Sequence, residues 1–96
     1  MQVSVVLRVD GVIRPYRETI TPEAPLSLEP VHPWWGIFIW NEGPDPVETF
    51  INGTEFSFKL EDLESRKIDM GAPLLTDLLI TVEAGESATV RIDTVR

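Results

Sequence analysis

The chain predicts an all-β fold: an antiparallel β-sandwich or jelly-roll-like barrel of seven to nine short strands, with little helix. Three observations predict it. Short segments alternate apolar with polar residues, most clearly over 2–9 and 88–95. Clusters of Gly, Pro, Asn and Asp interrupt the chain about every ten residues, the spacing of strands in a sandwich. No stretch carries apolar residues at i, i+3 and i+4 over the length of an ordinary helix; residues 60–66 supply one or two turns at most.

The elements follow in order. Residues 2–9 place Val3, Val5, Leu7 and Val9 on one face. Asp10-Gly11 predicts a type I′ turn, which needs positive φ at both central residues. Residues 12–20 are then the returning strand of a hairpin. Pro15 has no N–H for a ladder, which confines that strand to an edge or a bulge. Pro22, Pro25, Pro30 and Pro33 exclude a helix over 21–33. With a short extended piece at Leu26 and Leu28, that segment reads as a crossover between sheets. A strand over 34–41 follows, then a turn at 41–46, NEGPDP. Residues 47–51 and 54–60 form a second hairpin through Asn52-Gly53, with Phe56, Phe58 and Leu60 on one face. A polar connection over 61–65, a short strand at 66–70, a turn at 71–73 and a strand over 75–83 come next. A tight loop at 84–87 leads into the strand 88–95, with Ala88, Val90 and Ile92 inward and Thr89, Arg91 and Asp93 outward.

Ninety-six residues suit one domain, 1–96, with one core. There is no cysteine, so neither a disulfide framework nor a thiolate metal site is available. Sixteen acidic and eight basic residues give a net charge of −8. The two Lys and six Arg are scattered. Phosphate-backbone binding draws on clustered Lys and Arg, so nucleic acid is not an expected partner. No apolar run approaches the roughly 20 residues of a spanning helix, so no membrane contact is expected. The opening MQVSVVLRV lacks a basic leader followed by an apolar run, so no signal peptide is expected. A cytoplasmic location is compatible with these features.

The stretch 31–43, VHPWWGIFIWNEG, holds all three tryptophans. In an extended strand Trp34, Phe38 and Trp40 share one face and Trp35, Ile37 and Ile39 the other. Both faces are apolar, and both need cover. One core covers one face of a sheet. Trp34 and Trp35 point oppositely, so they cannot share that core. Trp34, Trp35, Ile37, Phe38, Ile39 and Trp40 are therefore candidate interface or ligand residues. One set belongs to the core. The other meets a subunit, stacks on a sugar, or lies under the proline-rich segment 21–33.

Other residue types point to no chemistry. His32 is the sole histidine, and a triad or histidine metal site needs further partners. Glu61, Asp62 and Glu64, or Glu42, Asp45 and Glu48, lack the spacing of a calcium loop, which supplies six to eight oxygens around a Gly turn. Carboxylate pairs of the glycosidase kind carry no weight without geometry. Asn52-Gly53-Thr54 matches an N-glycosylation pattern, but the hairpin turn accounts for it. No metal, cofactor or catalytic residue is expected.

The second half, from NEGPDPVETFINGTEF through IDMGAPLLTDLLITVEAGESATVRI, resembles small β-sandwich structural proteins of tailed bacteriophage virions. The shared features are a hairpin with an Asn-Gly turn, an Ile-Asp-Met strand and a closing G-E-S-A-x-V-R-I strand. The likeness covers about half the chain. It implies a capsid decoration, head–tail or tail component, and with it a virion location, and brings no catalytic residues. The expected function is thus non-enzymatic: a structural protein that self-associates or docks on a larger protein lattice. The alternative is a carbohydrate- or ligand-binding β-sandwich that uses exposed tryptophans.

Overall fold

A computed structural model of the chain describes residues 6–9, 16–53, 56–70 and 74–95. The described residues form nine strands: β1 Val6–Val9, β2 Tyr16–Ile20, β3 Leu26–Pro30, β4 Gly36–Pro44, β5 Val47–Ile51, β6 Phe56–Leu60, β7 Ser65–Asp69, β8 Leu78–Thr81 and β9 Ala88–Val95. They make a five-stranded sheet, β1-β3-β8-β5-β6, and a four-stranded sheet, β2-β9-β4-β7. No described residue is helical.

The pairing is nested. β2 pairs with β9, β3 with β8, β4 with β7 and β5 with β6, all antiparallel. One long hairpin, with its tip between β5 and β6, is thus folded across itself. Further pairs, β4 with β9 and β5 with β8, complete the two sheets. This is a jelly roll.

β1 departs from that plan. It adds to the five-stranded sheet parallel to β3, with Val6 opposite Ser27 and Val9 opposite Pro30. The expected hairpin between 2–9 and 12–20 is therefore absent, because β1 and β2 lie in different sheets. The Asp10-Gly11 turn itself falls outside the described residues. β2 instead runs its whole length along β9, and Ile20 faces the core beside Ala88. Burial gained at long range outweighs a local turn signal.

The second hairpin forms as its sequence predicts, with one change. Asn52 and Gly53 have φ of 54° and 72°, the left-handed pair of a type I′ turn. Ile51 pairs with Phe56, however, so four residues rather than two connect the strands. The shift is even, so Phe56, Phe58 and Leu60 keep their common face. The tip is held from outside. The Asn52 Nδ2 donates to Leu74 O at 3.1 Å, its Oδ1 accepts from Thr76 N at 2.8 Å, and Gly53 N donates to Asp77 Oδ1 at 2.8 Å.

The core lies between the sheets. Ile20, Leu26, Leu28, Trp34, Ile37, Ile39, Val47, Ile51, Leu60, Leu75, Leu78, Ile80, Ala88, Val90 and Ile92 form one buried cluster. β9 alternates as expected. The segment 21–33 contains β3, which contributes Leu26 and Leu28, so it is a crossover that includes a core strand. Residues 41–46 do not form a free turn. β4 continues to Pro44 through a register shift between Asn41 and Pro44, where Gly43 takes φ of 84°.

Asn41 explains that shift. Its side chain is buried and points inward beside Ile39. Its Nδ2 donates to Asp45 O, Leu60 O and Glu61 O at 2.9, 3.1 and 3.1 Å, and its Oδ1 accepts from Gly43 N at 2.8 Å. A buried amide is tolerated only when so satisfied. This one ties the β4–β5 and β6–β7 connections together.

Candidate interaction surface

The six aromatic-stretch candidates separate into three groups. Trp34, Ile37 and Ile39 are in the core. Phe38 and Trp40 lie half-buried on the outer face of the four-stranded sheet. Trp35 is 56 % exposed at one end of the sandwich. The expected grouping of Trp34 with Phe38 and Trp40 is thus corrected: Trp34 faces inward with Ile37 and Ile39.

The alternation slips between Trp34 and β4. Trp34 makes its own bridge to Leu75, donating to Leu75 O at 3.1 Å and accepting from Leu75 N at 3.0 Å. β4 starts only at Gly36, two residues on. A Cβ on Gly36 would stand 2.9 Å from Ile68 O of β7. Glycine lets the backbones approach closely where the chain changes phase.

On the outer face, Phe38 and Trp40 stack with centroids 4.1 Å apart and planes at 20°. Arg91, opposite Trp40 on β9, holds its Cζ 4.3 Å from the Trp40 centroid, within cation–π range. One ring face has room for only one neighbour so close, so Phe38 and Arg91 occupy opposite faces of the indole. Phe38 and Arg91 thus pack against Trp40, which stays half-buried.

Charge on this face is arranged locally. Arg17 and Arg91 are cross-strand partners, a repulsive placement for like charges. Each guanidinium turns to another neighbour. Arg91 takes Trp40, and Arg17 reaches Glu42 of β4 in a two-point contact, Nε to Oε1 at 2.9 Å and Nη2 to Oε2 at 3.0 Å.

The two ends of the sandwich differ. At one end lie the loops 21–25, 45–46, 61–64 and 82–87, which carry Glu23, Asp45, Glu61, Asp62, Glu64, Glu83 and Glu86 and no Lys or Arg. Several of these carboxylates serve the loops themselves. Asp45 Oδ2 accepts from Ser87 N at 3.0 Å, and Glu64 Oε1 accepts from Glu61 N at 2.6 Å. Among the described residues, no three His, Asp or Glu gather as a metal ion would need.

The other end gathers the segment 31–35, the β5–β6 tip and the residues that follow β7. Val31 and Phe56 are exposed there along with Trp35; Leu63, at the acidic end, is the remaining large exposed hydrophobic among the described residues. Trp35 is mounted firmly. Its carbonyl accepts from Met70 N at 2.7 Å, and the preceding residue is bridged to Leu75. His32 is exposed in the same segment. The Asn52 amide is engaged with Leu74 and Thr76, as above.

No protein-family model matches the chain, and no curated protein matches it. Among solved structures it is similar to a de novo designed double-stranded β-helix determined by solution NMR. The two share 18 % identity with a TM-score of 0.63, over 85 % of this chain and 99 % of that one. At that identity the likeness concerns the fold alone, and agrees with the nested pairing.

Proposed function

We propose that the chain is a non-enzymatic assembly protein that self-associates, or docks on a larger protein lattice, through the end of the sandwich that carries Trp35. The observation behind this reading is the contrast between adjacent residues. Trp34 is fully buried, while Trp35 presents more than half its surface to solvent on a backbone fixed by Met70 and Leu75. Tryptophan is enriched among interface residues that carry the binding energy. A fixed mounting lowers the entropy lost on docking. The acidic loops stand at the far end, so copies meeting through the Trp35 end keep most of their charge apart. The virion setting, as decoration, head–tail or tail component, rests on the resemblance of the second half.

Size-exclusion chromatography with light scattering, on the parent chain and Trp35→Ala, tests the reading. The parent is expected to increase in mass with concentration, and the variant to stay a monomer with an unchanged circular dichroism spectrum. The second reading, a carbohydrate-binding module, centres on Trp35, the tryptophan that is more than half exposed. A monomeric parent that binds a glycan array, and loses that binding in Trp35→Ala, would replace the assembly reading with this one.

A further inference from the structure

The outer face of the five-stranded sheet carries a hollow of about 430 Å³. Ser27, Glu29, Phe50, Asp77, Leu78 and Leu79 line it. Phe50 and Leu79 are cross-strand partners, and both are half-buried on this outward face. An enclosed cavity of about 150 Å³ holds benzene, so this open hollow has room for an indole ring. Its floor is apolar, and carboxylates stand at its rim.

We propose that the Trp35 ring of one copy inserts into this hollow on a second copy, an inference that rests on the self-association reading. Four features of the chain support the match. Among the described residues Trp35 is the larger and more exposed of the two exposed aromatics, Trp35 and Phe56, and the hollow offers Phe50 and Leu79 for it to cover. A buried indole N–H needs an acceptor, and Glu29 and Asp77 provide carboxylates at the rim. The segment 30–41 contains no Asp or Glu in a chain of net charge −8, so it approaches that acidic rim without repulsion. The Trp35 backbone is bonded next to β7, in the four-stranded layer, whereas the hollow opens on the outside of the other layer. Trp35 therefore stands in a different layer from the hollow of its own chain. The joined surfaces differ from each other, and a contact of this small size is weak and concentration-dependent.

Different surfaces allow a mixing test. Three variants are needed: Trp35→Ala, Leu79→Glu, which puts a charge in the hollow, and Ser27→Phe, which fills it. Hollow variants that keep the parent's urea midpoint are taken forward, and having two protects the test against one that misfolds. Sedimentation equilibrium should find each variant alone associating at least tenfold more weakly than the parent. A mixture of Trp35→Ala with a hollow variant should form a one-to-one pair, since the first retains the hollow and the second retains Trp35. Hollow variants that assemble like the parent would overturn the inference while leaving Trp35 as the docking residue. Single variants that fail alone and also fail when mixed would overturn it too, pointing to one patch meeting itself. A parent that is monomeric throughout would remove the self-association reading along with it.

Discussion

Trp34 and Leu75 exchange two backbone hydrogen bonds, at 3.1 and 3.0 Å, and both side chains are fully buried. This bridge lies outside the named strands. It fixes the chain just before β4 begins, and so sets one tryptophan inward and leaves its neighbour outside.

Trp34→Ala should therefore cost roughly 3–5 kcal/mol, as expected for deleting a large core aromatic. Trp35→Ala should change stability by less than about 0.5 kcal/mol, as surface substitutions do. Urea unfolding of both variants measures the contrast. Equal losses would mean that the two rings share one environment.

Asn41→Asp keeps the shape of the side chain but replaces its donor with an acceptor. The new oxygen would face the carbonyls of Asp45, Leu60 and Glu61. A buried group stripped of its hydrogen bonds costs about 1–3 kcal/mol, and more when charged. A loss of at least about 3 kcal/mol at neutral pH is expected by denaturant titration. A variant as stable as the parent would show that the amide does not hold the loops.

Nothing lies within 4 Å of a Cβ built on Gly53, yet its φ is 72°. Gly53→Val should cost about 1 kcal/mol or more from backbone conformation alone, because a β-branched residue is strained there. Thermal unfolding of the variant measures it, and an unchanged midpoint would contradict the left-handed turn.

Thr49 faces the core from β5, and its Oγ1 is buried with no hydrogen-bond partner among the described residues. Thr49→Val removes that hydroxyl and keeps the branched shape. It should stabilise the protein by about 1 kcal/mol. A loss of similar size would mean that the hydroxyl has a partner in solution.

Much of this fold was legible in short-range pattern. Ala88, Val90 and Ile92 alternate inward along β9, and Asn52-Gly53 marks the tip of the nested hairpin. Other features depend on partners distant in sequence. The parallel pairing of β1 with β3 could not be read beside an Asp-Gly turn that favours a local hairpin. Asn41 sits among Gly and Pro, so composition reads it as a turn residue, and only the carbonyls of Leu60 and Glu61 reveal its role. At the candidate surface, strict alternation separates Trp34 from Trp35 but cannot say which is inside. The slip before Gly36 groups Trp34 with Ile37 and Ile39. Nor does the sequence show that Arg91 and Phe38 pack against Trp40.

The proposed role of the exposed Trp35 end is to join this chain to another protein surface, its own copies included. The most direct measurement is sedimentation equilibrium of the parent chain over a dilution series reaching about 1 mM, where even an interface of the smallest class assembles. A weight-average mass that rises with concentration is expected, together with a Trp35→Ala variant whose mass stays that of one chain. A parent that remains a monomer across the series, or a Trp35→Ala variant that assembles as the parent does, would contradict self-association through this residue.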